Sequence, residues 1–135
     1  MKIVFTNGVF DIIHRGHIEL LEFCKKQGDY LVVALDSDLR VKMNKGKERP
    51  INSQNDRKFV LESIKYVNEV ILFNDIEELK GLHQLIKPNV VVKGSDWNID
   101  YLRKTDGILD TSEVILYETI SGYSTTNLVG KLKCL

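Results

Sequence analysis

Short apolar runs alternate with helical patterns from one end of the chain to the other. Lys2–Phe5, Tyr30–Leu35, Glu69–Phe73, Val90–Lys93 and Val114–Tyr117 are rich in β-branched and aromatic residues and read as strands. Between them, apolar positions recur at helical spacing over Ile18–Lys26, Asn55–Lys65 and Ile76–Ile86. In the first of these, Ile18, Leu21 and Leu20 or Cys24 point inward, and Gly28 ends the helix. Pro88 stops the third. A closing helix is expected over Ser124–Lys133. Asp36–Asn52 reads as a polar, basic loop, and Asn98–Ser112 carries no usable pattern. Strand–helix alternation predicts an α/β fold, a Rossmann-like parallel sheet with helices on both faces and right-handed crossovers.

The buried run Lys2–Phe5 opens directly into Thr6–His17, TNGVFDIIHRGH, and a helix follows. Open parallel sheets bind ligands beyond the carboxyl ends of their strands, and a helix N-terminus adds unpaired N–H groups with partial positive charge. That combination suits phosphate. Gly8 permits close backbone approach, and Gly16, between His14 and His17, keeps bulk away from a bound anion. Either histidine can donate to a phosphate oxygen from a neutral or a charged ring. Asp11 can orient an imidazole or cap the turn. One histidine here would be an ordinary loop residue. Two around a glycine, after a strand and before a helix, point to function.

Composition narrows the class. The 135 residues are one domain's worth, 43% apolar, so a real core is available. Lys plus Arg and Asp plus Glu number 19 each, which argues against broad electrostatic binding of nucleic acid. No stretch reaches membrane-spanning length, and because the chain enters a strand at once no signal peptide is expected. Cys24 and Cys134 make no metal-type spacing, consistent with a reduced, cytoplasmic chain.

Three further stretches bear on chemistry. In Asp36–Asn52, Asp36 and Asp38 lie at a strand's carboxyl end, and Lys42, Lys45, Lys47 and Arg49 gather positive charge beside it. Any one of those lysines alone would be solvated loop. In NVVVKGSDW, Lys93, Gly94 and Asp96 follow a buried strand and suit phosphate, sugar or base-edge contacts, while a lone Trp97 more often packs. In GYSTTN, Ser124 or Thr125 can cap the last helix or cradle phosphate. Arg57 reads equally as a surface arginine at a helix start or as a site residue. His83, alone on its helical pattern, reads as surface or core.

With these motifs in order, the chain resembles the HxGH nucleotidyltransferase superfamily of cytidylyl- and adenylyltransferases, His14-Arg15-Gly16-His17 being the signature. The likeness runs along nearly the whole chain. It implies that His14 and His17 contact nucleotide phosphates and stabilise transfer at the α-phosphorus, and that Lys45, ahead of Gly46, meets the triphosphate. It implies nucleotide binding by Thr6, Gly8, Phe10, Asp11, Gly16, Lys93, Gly94, Asp96, Tyr123, Ser124, Thr125 and Thr126, and substrate binding by Asp36 and Arg57. A Mg²⁺ ion bridging the phosphates, which Asp11 would hold or merely help orient, and a homodimer are also implied. TNGVFDIIHRGH, KGKERPIN, VKGSDW and GYSTTN are most similar to heptose 1-phosphate adenylyltransferase domains. The expected reaction is therefore nucleotidyl transfer from ATP to a sugar phosphate, with release of pyrophosphate. Glycerol-3-phosphate cytidylyltransferase is the alternative, but that group carries an arginine shortly before its STT run, where this chain has Glu118-Thr119-Ile120-Ser121. A nucleotide-sensing module that kept the fold and lost turnover is the non-enzymatic alternative. A dinucleotide-binding oxidoreductase is disfavoured because the first loop lacks GxGxxG.

Overall fold

The computed structural model describes residues 1–118 and 125–133, with residues 125–127 as backbone only. Five strands form one parallel sheet: β1 (Ile3–Gly8), β2 (Tyr30–Asp36), β3 (Glu69–Phe73), β4 (Val90–Gly94) and β5 (Glu113–Tyr117). The helices are α1 (Arg15–Lys26), α2 (Asp38–Lys45), α3 (Gln54–Glu62), α4 (Ile76–Ile86), α5 (Ile99–Asp106) and α6 (Thr125–Lys133). Spatial order in the sheet is β3-β2-β1-β4-β5. Val4 therefore lies beside Leu31 on one side and Val90 on the other. The order reverses between β1 and β4, and that is where ligands bind in open α/β sheets.

Side-chain alternation divides the core between the two faces. Val4, Val33, Leu35, Val90 and Val92 pack with Leu21 and Cys24 of α1 and Leu61 of α3. Phe5, Val32, Ala34 and Val91 pack with Leu79 of α4 and Leu102 of α5. Both faces of the sheet are covered, which is why its central strands read as unbroken apolar runs rather than alternating ones. Gly28 lets the α1–β2 turn press on the start of β1, since a Cβ there would stand 2.7 Å from the Lys2 carbonyl oxygen.

Two expectations are corrected. Asp36–Asn52 is not a continuous loop, because it contains α2. Ser37 caps that helix by accepting from the Arg40 N–H at 3.3 Å, and Val41 alone of its side chains is buried. One apolar contact over eight residues leaves almost no periodicity to detect. Asn98–Ser112 likewise contains α5, capped by Asn98 and anchored by the buried Leu102. The helix predicted over Asn55–Lys65 stops earlier, at Glu62, with Ser63 as its cap. His83 belongs to the core, 1% exposed, with its ring 4.5 Å from that of Phe5.

Candidate active site

His14 and His17 cap α1 reciprocally. The backbone of His14 is extended, as an N-cap requires, and its Nδ1 accepts from the Gly16 N–H at 3.1 Å. His17, three residues on, accepts from the His14 N–H on its own Nδ1 at 3.2 Å. This is the capping-box arrangement with imidazoles in place of hydroxyl and carboxylate. It has a chemical consequence. With each Nδ1 acting as acceptor, the proton of each neutral ring resides on Nε2. The rings lie close together, centroids 4.0 Å apart, and Phe10 braces His17 at 5.3 Å. Phe10 holds a left-handed φ of 47°, a conformation worth about 1–3 kcal/mol of strain for a non-glycine residue. Gly8 makes room for it, since a Cβ there would stand 2.9 Å from the Phe10 ring.

Burial, and secondarily the charge of His14, pushes the His17 pKa down to about 4. Burial lowers that of His14 too. Both shifts favour the neutral form of each ring at neutral pH in the ligand-free protein. Burial also lowers His83 to about 4, against an ordinary value of 6.5. For both His17 and His83 the folded pKa lies below the unfolded one, so the unfolded chain binds more protons between them. Stability is fully present above about pH 6.5 and is lost as pH falls towards 4. Denaturant midpoints should fall between pH 7 and pH 5, with a shallower fall for His83→Leu; equal slopes would refute this account.

Asp11 is corrected. It neither orients an imidazole nor offers a free carboxylate. Its buried oxygens accept from the N–H groups of Ile51 at 2.7 Å and Asn52 at 2.8 Å, and from Arg49 Nε at 3.3 Å. Asp11 thereby staples the first loop to the RPIN segment that follows α2. Arg57 is no surface residue either: it is 1% exposed. Its guanidinium donates to the carbonyls of Val9 and Asp36 at 2.8 Å each and of Asn52 at 3.0 Å, and pairs with Asp38 Oδ1 at 2.8 Å. One side chain ties the loops after β1 and β2 and the start of α3 together.

At the other side of the switch point, Thr6 donates its hydroxyl to the Val92 carbonyl at 3.0 Å, holding β1 against β4 where the two diverge. Lys93 reaches Asn7 Oδ1 at 2.9 Å and Asp106 Oδ2 at 3.5 Å. Thr6, Asn7, Leu20, Lys93, Gly94, Trp97 and Tyr117 line a pocket of about 120 Å³. Gly94 lets Asp96 fold back, since a Cβ there would stand 2.8 Å from Asp96 Oδ1. Trp97 does not fill core. It is 45% exposed and stacks on Tyr101 at 6.2 Å. Asp36, 8% exposed, pairs with Arg40 at 3.2 Å, while its Oδ1 has no hydrogen-bond partner among the described residues. Burial raises its pKa against the pull of Arg40.

Lys45 stands exposed at the end of α2, in a cleft of about 300 Å³ shared with Arg49 and with Val129, Gly130 and Lys133 of α6. Tyr123 and Ser124 lie outside the described residues. Thr125 and Thr126 open α6, which begins one residue after the expected start. No group of three or more His, Cys, Asp or Glu side chains suited to a metal occurs among the described residues. Sequence reasoning missed Asn7, Arg40 and Asp106 as neighbours of the site. Asn7 lies inside the recognised Thr6–His17 stretch but was given no role; Arg40 and Asp106 sit on the two short helices, α2 and α5, within stretches read as loop or patternless.

A paired-histidine helix start at the switch point of a parallel sheet, facing a lysine–glycine turn across it, defines an α/β nucleotidyltransferase. The chain belongs to the Cytidylyltransferase-like family, whose model matches residues 5–129. It is 44% identical over 96% of its length to the Bifunctional protein HldE of Campylobacter fetus, and 44% identical over 98% to that of Helicobacter pylori strain P12. It spans 28% of the length of each of these relatives. Among solved structures, a lipopolysaccharide core biosynthesis protein from Thermoplasma volcanium superposes with a TM-score of 0.76 at 31% identity, covering 90% of this chain and 99% of that one. A bifunctional NMN adenylyltransferase/ADP ribose pyrophosphatase from Francisella tularensis shares the fold alone, with TM-score 0.66 and 18% identity over 96% of this chain and 41% of that one. No helix among the described residues is long and apolar enough to cross a membrane.

Proposed function

We propose that the domain transfers adenylyl groups from ATP to a sugar phosphate such as D-glycero-D-manno-heptose 1-phosphate, releasing pyrophosphate. The observation that carries the reading is the pair of imidazoles locked through Nδ1 at the head of α1. Their Nε2–H groups are pre-oriented donors, and with the helix N-terminus they meet the α-phosphate as its charge builds. An acceptor phosphate oxygen attacks the α-phosphorus; the new P–O bond forms as the bond to the β-phosphate oxygen breaks, and pyrophosphate takes the electron pair. The nucleophile is already an anion, so positioning and charge stabilisation suffice and no general base is needed.

In this reading Lys45 meets the leaving oxygens, Ser124 and Thr125 cradle phosphate, and Asp36 with its unpartnered oxygen meets the acceptor. Thr6, Gly8, Phe10, Gly16, Lys93, Gly94, Asp96, Tyr123 and Thr126 line the nucleotide side. Arg57 and Asp11, committed to internal partners, shape the loops rather than touch substrate. A Mg²⁺ ion would have to come with the triphosphate and would supply neutralisation of phosphate charge there, since the described residues include no cluster of three or more side chains suited to hold it. A homodimer belongs to this reading through the family resemblance alone.

Naming of the HldE relatives and the absence of an arginine before the STT run favour adenylyl over cytidylyl transfer. The family's cytidylyltransferase description keeps CTP with glycerol 3-phosphate as the second reading. Pyrophosphate release with Mg²⁺, crossing ATP, CTP and GTP against heptose 1-phosphate and glycerol 3-phosphate, tests both. Turnover with ATP and heptose 1-phosphate is expected. Turnover only with CTP and glycerol 3-phosphate would replace the reading, and nucleotide binding without turnover in any pair would count against it.

A further inference from the structure

Asp106 ends α5, in the stretch that carries no motif, yet its carboxylate lies 3.5 Å from Lys93 Nζ near the carboxyl end of β4. We propose that Asp106 is a positioning residue of the transfer site, holding the Lys93 ammonium between itself and Asn7 so that it faces the pocket beside Gly94. The inference rests on the nucleotidyl-transfer reading and extends it to α5.

The lysine is nearly enclosed, with 10% of its side chain exposed and 13% of that of Asp106. A buried ammonium without a counter-charge is costly, and its long side chain has many rotamers. Asn7 accepts one of its three N–H groups at 2.9 Å, and Asp106 attracts a second. The third remains for a ligand in the pocket formed with Thr6, Gly94 and Trp97, whose ring lies 5.6 Å from Nζ.

Asp106 is itself held. Gly107 takes a left-handed φ of 75° at the helix end and lies so close to α4 that a Cβ would stand 2.6 Å from Lys80 Cγ. Arg103, one turn earlier, donates to the carbonyls of Leu109 and Ser112, and the Ser112 hydroxyl donates to the Pro88 carbonyl at 2.6 Å. The segment is thus tied to the approach of β4, the strand that carries Lys93. A carboxylate so fixed sets the position of the ammonium and also its charge. Burial pulls the Lys93 pKa down; Asp106 of α5 and Asp36 of β2 oppose that, while Arg40 of α2 adds to it. His83 of α4, which also feels Lys93, is neutral.

The test follows the lysine directly. In protein carrying ¹³C-lysine, Asp106→Asn should lower the Lys93 titration midpoint by about one unit, the size expected for losing one adjacent opposite charge, and Asp106→Glu should restore most of it. The alkaline limb of kcat/KM should move to lower pH by the same amount. On a Lys93→Gln background, Asp106→Asn should cost no further activity. An unchanged midpoint, or losses that multiply in the double variant, would overturn the proposal. Inactivity of the unmodified protein with every substrate pair would instead sink the transfer reading, and the titration would still decide what Asp106 does.

Discussion

Replacing His17 by alanine should lower turnover by at least about two orders of magnitude, about 2.7 kcal/mol of transition-state stabilisation. In the proposed reaction the side chain would supply one donor to the α-phosphate, from a ring whose centroid lies 4.0 Å from that of His14. The same substitution removes the acceptor of the His14 N–H, so stability also falls, by about 1 kcal/mol for a lost cap. Chemistry and folding must therefore be separated. His17→Glu does that, because glutamate three residues after the N-cap can reach back to the same N–H and suits the positive end of the helix. It should fold as well as the unmodified protein while placing a negative charge where the phosphate must sit. Steady-state pyrophosphate release and denaturant unfolding, measured on both variants, check the pair of expectations. Full activity in His17→Ala would remove the central assignment.

The sheet was legible because both its faces are covered. Runs such as Tyr30–Leu35 and Val90–Lys93 are apolar throughout, and each strand lay within a few residues of its expected place. The HRGH helix start was legible because its residues are adjacent in sequence. What stayed hidden falls into two kinds. Helix α2 buries only Val41, so its amphipathic signal is faint, whereas α5 is amphipathic but only eight residues long and polar on average, too short a run to stand out beside its neighbours. Asp11, Arg57 and Lys93 each depend on at least one partner 38 to 86 residues away. No local pattern announces such contacts. In isolation Arg57 resembles any arginine near a helix start, and only the assembled loops show that it is enclosed.

That enclosure makes Arg57 the most sensitive position for stability. Its guanidinium serves three backbone carbonyls and one carboxylate, drawn from the loop after β1, the end of β2, the start of α2 and the approach to α3. Planar geometry and several fixed donors let one arginine reach all of them at once, which a lysine cannot do. Truncation leaves the Val9 and Asp36 carbonyls short of a donor in a dry interior, opens a cavity and strands Asp38. Asp38 is a third exposed, so water recovers part of its charge; even so, Arg57→Ala should cost about 3 kcal/mol or more. Arg57→Lys keeps the charge but loses most of the bonds, and should recover only a minor part. Activity should suffer too, through the shape of the loop carrying Phe10 and Asp11 rather than through a lost substrate contact. Substrate KM and denaturant midpoint should therefore worsen together across Ala, Lys and Gln variants. An Arg57→Lys protein with unmodified stability and abolished turnover would reverse this view, and would make the guanidinium a direct ligand of the substrate.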